Sequence, residues 1–131
     1  MPLLRKVDCV QLYVSSLEEG LAFYRDRLGH EVIWRTTTAA GLRLPETDAE
    51  LVLQTEDKRQ EVDLLVNSAD EAAKFIEQAG GRMVVPPFDI QIGRCAVVED
   101  PWGNPLVLLD TGKGLLKTDS QGNVIGNLNP D

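Results

Sequence analysis

The sequence predicts an α+β fold built from two tandem βαβββ modules, and three observations predict it. The chain resembles itself at a shift of 52 residues, where Cys9–Ile33 aligned with Glu61–Val85 gives eight identical pairs in 25. The capping box that begins at Ser16 recurs at Ser68, so each module predicts a helix start. Segments of alternating apolar residues flank both helices, as strands do. A repeat of this period indicates a supersecondary unit that buries its apolar face only with its neighbours.

The first module, about residues 7–54, starts with an alternating strand over Val7–Val14. The helix that follows the capping box ends at Gly29, and its apolar stripe consists of Leu17, Leu21, Tyr24 and Leu28. Three further strands are predicted at Glu31–Arg35, around Gly41–Leu44 and at Glu50–Gln54. The second module, about residues 61–110, repeats this order. Its predicted strands are Glu61–Val66, Arg82–Val85, Arg94–Glu99 and Leu106–Leu109.

Residues 111–131 form a tail outside the repeat, which makes 1–110 the predicted single domain. Its Gly and Asn residues predict a turn at Ser120–Asn123 between Leu115–Thr118 and Val124–Ile125. Contact with a partner and a mobile chain end are both open as roles for this tail.

Charge and composition restrict the class of function. The formal net charge of −8 argues against a nucleic-acid partner, because phosphate binding needs clustered Lys and Arg. The same charge suits a cationic small ligand, or is only a soluble acidic surface. No stretch approaches 18 apolar residues, so we expect no membrane partner, and Arg5-Lys6 stands where a signal peptide needs an apolar run. With two cysteines that lack disulfide or zinc spacing, we expect a cytoplasmic protein.

Two motifs, Phe23–Gly29 and Asp100–Asn104, together with the repeat, resemble the vicinal oxygen chelate (VOC) superfamily. This is the group of glyoxalases, bleomycin resistance proteins and extradiol dioxygenases. The resemblance spans about residues 7–110. It implies that the strands of the two modules form a U-shaped, mostly antiparallel sheet around one cleft, usually within a homodimer.

The resemblance also identifies the positions at which the metal enzymes of this superfamily hold their ion. Carried onto this chain, those positions are Cys9, Val52, Glu61 and Val107. The repeat agrees, since it pairs Cys9 with Glu61 and Val52 with Val107. Two valines cannot coordinate a metal, and an active-site metal normally has three protein ligands. We therefore expect no metal and no other cofactor.

Strand alternation extends each of these positions to its neighbours two residues away on the same face. The predicted ligand-binding cleft, which also includes a turn tryptophan at its mouth, consists of Cys9, Gln11, Tyr13, Glu50, Val52, Gln54, Glu61, Asp63, Trp102 and Val107. The opposite strand faces, among them that of Val62, Leu64 and Val66, are apolar, as expected beneath helices. Among the carboxylates, Glu50 is expected at the solvated rim. For Cys9 we expect a small buried side chain in preference to a reactive thiol.

The leading hypothesis is a metal-free protein that binds a small organic molecule, such as an organic cation or antibiotic, and sequesters it. The alternative is a metal-independent isomerase or lyase with Glu61 or Asp63 as general base, because two nearby carboxylates in an apolar cleft raise one pKa toward neutrality. A third hypothesis, a metal-dependent glyoxalase- or dioxygenase-like enzyme, is disfavoured by the missing ligands.

Overall fold

The computed structural model of the chain describes residues 2–128. Within residues 2–128, eight strands and two α-helices follow one another in the order predicted for two βαβββ modules, and two further strands lie in the tail, so the predicted α+β class is confirmed. The elements are β1 (Lys6–Tyr13), α1 (Leu17–Leu21) with a π-helix (Ala22–Arg27) directly after it, β2 (Val32–Arg35), β3 (Ala39–Arg43), β4 (Glu50–Gln54), β5 (Glu61–Leu65), α2 (Ala69–Gln78), β6 (Arg82–Ile90), β7 (Gly93–Glu99), β8 (Pro105–Leu109), β9 (Leu116–Thr118) and β10 (Val124–Asn127). None of the helices in the described residues is long and apolar enough to span a membrane.

The chain divides into two compact units. The first unit contains Asp8–Val62 and Lys117–Gly126. Its strands lie in the order β2-β3-β4-β1, with β1 parallel to β4 and the other pairs antiparallel. One face of this sheet packs against α1, and the buried cluster between them consists of Leu17, Leu21, Ala40, Leu42 and Leu53.

Among the described residues, the second unit contains Asp63–Leu116 together with 2–7 and 127–128. Its strands lie in the order β5-β8-β7-β6, with β5 parallel to β8 and the other pairs antiparallel. The helix α2 covers one sheet face, and the buried cluster there consists of Val66, Ala69, Ala72, Ala73, Ala96, Val98 and Leu108.

The strand registers of the two units confirm the internal repeat. Gln11 pairs with Val52 across β1 and β4, and Asp63 pairs with Val107 across β5 and β8. A shift of 52 residues takes Gln11 to Asp63, and a shift of 55 takes Val52 to Val107, so the two pairs are equivalent. The helix starts also match, since the hydroxyl of Ser16 accepts from the N–H of Glu19 just as the hydroxyl of Ser68 accepts from Glu71.

The first helix departs from the predicted stripe. After Leu21 the backbone continues as a π-helix, in which the N–H of Leu28 donates to the carbonyl of Phe23. A π-helix adds a residue to each turn and so rotates later side chains relative to an α-helical pattern. Leu28 is consequently 52% exposed, and its predicted place in the apolar stripe is wrong, whereas Tyr24 packs against the core.

The strand β6 is longer than predicted, because it runs through Pro86 and Pro87 to Ile90. Proline donates no ladder hydrogen bond and is accepted in an edge strand. Within its unit, β6 is such an edge strand. The pairing with β7 shifts register between Val85 and Phe88, around the two prolines.

The predicted turn in the tail is confirmed, since β9 and β10 form a hairpin around Asp119–Asn123. Its connection repeats the turn at Asp100–Asn104. In both, the first Asp accepts backbone N–H bonds from the third and fifth residues at 2.9 Å and also binds the Asn side chain. The fourth residue is Gly103 or Gly122, with φ of 86° and 84°, a conformation that favours glycine. The Asp-x-x-Gly-Asn sequence thus builds one turn twice.

Candidate functional site

The first unit carries a group of predicted cleft residues on the sheet face opposite α1. Across the parallel pair β1 and β4, Cys9 lies opposite Glu50, Gln11 opposite Val52, and Tyr13 opposite Gln54. Since strand residues two apart share a face, these side chains lie on one side of the sheet. Cys9 and Val52 are buried, Gln11 and Glu50 are half-buried, and Tyr13 is exposed.

Trp34 lies on this face as well, although it was not among the predicted site residues. Its indole Nε1–H donates a 2.6 Å hydrogen bond to Oε1 of Glu50. Its ring lies over Gly41, where an added Cβ would be 2.0 Å from Nε1. Gly41 therefore leaves the space that the ring fills. We refer to Cys9, Gln11, Trp34, Gly41, Glu50 and Val52 as the Trp34 face.

The sequence predicts that Glu50 lies at a solvated rim. In the structure it is instead half-buried beside an aromatic ring. Burial raises the pKa of this carboxyl above its usual 4.5. The hydrogen bond from Trp34 acts in the opposite direction and lowers the pKa, because it stabilises the charged carboxylate. The nearby Asp8 raises it further and Arg43 lowers it. The result is an anchored carboxyl group whose proton is held more tightly than in water.

Gln54, expected to offer its amide to a ligand, is buried and binds the turn that follows β4 instead. Its Oε1 accepts the N–H groups of Glu56 and Asp57, each at 2.7 Å, and its Nε2 donates to the carbonyl of Asp57. These three bonds make Gln54 a turn-stabilising residue rather than a ligand-facing amide.

In the second unit, the predicted residues Asp63 and Val107 lie opposite each other on β5 and β8. Asp63 is buried, with 5% of its surface exposed, and Val107 is half-buried. Glu61 is half-buried at the start of β5. Val62, expected beneath the helix with Leu64 and Val66, is instead 47% exposed, so the apolar face begins one strand position later than predicted.

Trp102 is 83% exposed in the turn between β7 and β8. Its backbone N–H donates to Asp100, which fixes the turn while the ring projects to solvent. The hydrogen bond from the Asn104 side chain is the main cause of the lowered pKa of Asp100, and backbone N–H groups add to it. Trp102 thus makes little contact with the rest of the unit, and its place at a cleft mouth stays a prediction.

Sequence reasoning missed a buried carboxylate, Asp110, which has a structural role. Its Oδ2 accepts the N–H of Ala69 at 2.8 Å, and its Oδ1 accepts the N–H of Arg94 at 2.9 Å. An added Cβ at Gly93 would lie 2.3 Å from this carboxylate, so the close approach requires glycine. Asp110 therefore ties the start of α2 to β7.

The residues at the family's metal positions do not fit a metal ion. Val52 and Val107 have no ligand atom, and within residues 2–128 there is no group of three His, Cys, Asp or Glu side chains placed to hold one. Cys9 and Glu61 alone are a mismatched pair of soft and hard donors.

The Trp34 contact had a signal in the sequence. In the aligned strand registers, Gly41 pairs with Val52 in the same way that Val97 pairs with Val107. A glycine where the other module has a valine marks a close approach by another group. That group is Trp34, seven residues upstream of the glycine.

A search of curated protein sequences gave no match to this chain. Among solved structures, methylmalonyl-CoA epimerase from Mycobacterium tuberculosis is similar in fold, with a TM-score of 0.69 at 17% identity over 82% of this chain and 89% of that one. NAD-dependent benzaldehyde dehydrogenase from Legionella pneumophila has a TM-score of 0.64 at 24% identity over 79% and 97%.

Homoprotocatechuate 2,3-dioxygenase from Brevibacterium fuscum also matches, with a TM-score of 0.64 at 25% identity over 84% of this chain but only 37% of the dioxygenase chain. The three names cover three different reactions, so the shared fold does not fix an activity. Residues 6–108 match the family described as the Glyoxalase/Bleomycin resistance protein/Dioxygenase superfamily. The chain belongs to this superfamily.

Proposed function

We propose that this protein binds a small organic cation, without a metal, on the Trp34 face. The observation that carries the proposal is the hydrogen bond between Trp34 and Glu50, which fixes an aromatic ring beside a half-buried carboxylate. An aromatic face next to a negative charge is a common recognition surface for quaternary ammonium groups. Sequestration of such a compound is the biological role that we favour.

The remaining residues of the face supply complementary chemistry. Val52 and Cys9 give a buried apolar floor, whose contact with a ligand provides affinity. The amide of Gln11 adds a polar group that can orient the ligand. Two contacts fix the position of the Trp34 ring. Its Nε1–H donates to Glu50, and the ring packs closely on Gly41. A site that is fixed before binding loses less conformational entropy when the ligand arrives.

Calorimetric titration with benzyltrimethylammonium and its uncharged carbon isostere tests the proposal, and Trp34 fluorescence in a Trp102→Phe background is a second readout for the variants that keep Trp34. We expect saturable binding of the cation, and about tenfold weaker binding after Glu50→Gln or Trp34→Leu, since such contacts contribute about 1–2 kcal/mol. Glu46→Gln, in the exposed turn between β3 and β4, is the matched control. Equal binding of both isosteres, or binding that Glu50→Gln leaves unchanged, would contradict the proposal.

A second function, that of a metal-independent isomerase or lyase, is favoured by one specific observation. Burial raises the pKa of Glu50, which brings a carboxyl group closer to the range in which a general base works at neutral pH. The buried Asp63 and the half-buried Glu61 are the alternative bases.

Because one structural neighbour is named as a methylmalonyl-CoA epimerase, methylmalonyl-CoA in D₂O is the first probe of this second function. Deuterium incorporation at C2, followed by NMR, reports proton abstraction. Loss of exchange in Glu50→Gln, Glu61→Gln or Asp63→Asn would identify the base, and absence of exchange above the buffer rate would reject this substrate.

Two further predictions belong to the proposal, namely a homodimer and a cytoplasmic location. The first follows from the resemblance to the superfamily. Light scattering after size-exclusion chromatography gives the mass in solution, and a value of one 14.4 kDa chain would contradict the dimer.

A further inference from the structure

We infer that the β9–β10 hairpin and the end of β2 form a second binding site, which takes the oxyanion group of a small organic acid or phosphate ester. A cavity of about 570 Å³ lies there within the first unit. It is lined by Arg35, Thr36, Thr37, Gln121, Asn123 and Val124. Three of these residues come from the tail, beyond residues 6–108 that match the superfamily. The inference is independent of the Trp34 face.

The side chains that line the cavity favour an anion as its ligand. The six lining residues include one cation, hydroxyl groups and amides but no carboxylate, although the whole chain has a net charge of −8. Two carboxylates lie beside the lining, Glu18 on the guanidinium of Arg35 and Asp119 on the amide of Asn123. In a strongly acidic protein, a concave surface whose own residues carry no carboxylate repels an anion less than its surroundings do. Hydroxyl, amide and guanidinium groups are hydrogen-bond donors of the kind that bind carboxylate and phosphate oxygens.

Arg35 is held in place by both its backbone and its side chain. Its N–H donates a 2.7 Å hydrogen bond to the carbonyl of Gly122, and it forms a parallel bridge with Asn123. Its Nη2 donates to Glu18 at 3.0 Å, and the side chain is only 26% exposed. A guanidinium has five N–H donors in a planar fork, so the contact with Glu18 orients the group and leaves donors for a second oxyanion.

The size of the cavity selects the kind of molecule. Pockets for small organic ligands measure about 300–1,000 Å³, and an isolated inorganic ion needs much less. Val124 provides an apolar wall for the organic part of such a ligand. The shared chemistry is therefore an oxyanion on a compact organic body, whether the oxyanion is a carboxylate or a phosphate.

Phenyl phosphate and benzoate are the probes that distinguish these two sources, and benzyl alcohol is the neutral control. We expect at least one of the two anions to bind saturably in calorimetry, and benzyl alcohol to bind at least about tenfold more weakly, since hydrogen bonds between Arg and an anion are charge-assisted. Arg35→Gln should weaken anion binding by about the same factor. Arg43→Gln, which removes an exposed ion-paired arginine of the same unit, should not.

Gln121→Leu provides a second variant in the exposed turn, should Arg35→Gln fail to fold, and it should also weaken anion binding. Equal affinity for benzyl alcohol, no saturable binding of either anion, or equal effects of Arg35→Gln and Arg43→Gln would overturn the inference. Binding of benzyltrimethylammonium should be the same in wild type and Arg35→Gln, so failure here is distinguishable from failure of the proposed function.

Discussion

Trp34 occupies the space that a side chain at position 41 would need, so the identity of Gly41 decides where the indole lies. A Cβ at Gly41 would come within 2.0 Å of Nε1 and 2.4 Å of Cε2. Both atoms belong to a rigid ring, so the clash cannot be relieved by a small rotation of a flexible chain end. The glycine, the indole and the carboxyl group of Glu50 thus form one packed set.

Replacing Gly41 with alanine should displace the Trp34 ring and break its hydrogen bond to Glu50. We expect a loss of about 1–3 kcal/mol in the free energy of unfolding, as for other overpacked sites. In a Trp102→Phe background, the emission of Trp34 should shift to longer wavelength as the ring becomes more exposed. Gly112→Ala is the control, because its Cβ would meet Asp110 at an ordinary 3.7 Å. Equal stability of the two variants would show that the indole adapts.

The pH dependence of stability should report the raised pKa of Glu50. A carboxyl group with a higher pKa in the folded state binds more protons there than in the unfolded chain, so the free energy of unfolding falls as pH rises from 4.5 through the folded pKa. We expect this fall to be present in wild type and absent in Glu50→Gln, measured by urea denaturation between pH 4 and about pH 8. Parallel curves for the two proteins would contradict it.

The affinity for a cationic ligand should rise with pH, whereas the contribution of Glu50 to the free energy of unfolding falls. A bound cation stabilises the ionised form of Glu50, so affinity for benzyltrimethylammonium should rise with pH through the folded pKa and then level off. Calorimetry in two buffers of different ionisation enthalpy would detect the proton that is released. In Glu50→Gln both the rise and the proton release should disappear.

Asp110 should be important for stability although it is outside the predicted site. Asp110→Asn replaces one acceptor oxygen with a donor that faces a backbone N–H, and we expect a loss of about 1–3 kcal/mol. Asp26→Asn, at an exposed ion pair in the π-helix, should cost clearly less, because solvent screens that pair. Comparable losses in urea denaturation would show that the contacts of Asp110 contribute little.

The hairpin turn should depend on the charge of Asp119. Backbone N–H groups of Asn123 and Gln121 are the main cause of the lowered pKa of Asp119. With a lowered folded pKa, its stabilising effect is present above pH 3.8 and is lost as pH falls through the folded value. Asp119→Ala should speed hydrogen exchange in residues 117–126, whereas Asp100→Ala should affect residues 99–105. Unchanged exchange near residue 121 would contradict the role of Asp119.

Much of the fold could be predicted because short local sequence signals determine it and the same signals occur in both modules. The capping serines and the turn in the tail depend on neighbouring residues, and the structure confirms them, as it confirms the apolar faces under the helices except at Val62. Leu28 could not be placed, because a π-helix has no distinct apolar period in the sequence. The length of β6 depended on its being an edge strand, which is a property of the assembled sheet.

The candidate site was harder to predict than the fold. Alternation placed Cys9, Glu50 and Val52 on one face correctly, because strand geometry fixes that pattern. It could not show that Gln54 would bind its own turn, nor that Glu50 would be covered by an indole 16 residues away. Side-chain partners of this kind depend on packing between strands, which a periodic pattern does not encode.

The turn at Asp119–Asn123 has a consequence for how the tail becomes part of the first unit. The hydrogen bonds that the Asp119 side chain accepts in this turn come from Gln121 and Asn123, at most four residues away. Closing so short a loop costs little chain entropy. The reversal can therefore form early, on information carried by those five residues alone. A short segment of this kind folds on local information, and it brings Asn123 beside Arg35 from outside residues 6–108, the part of the chain that matches the superfamily.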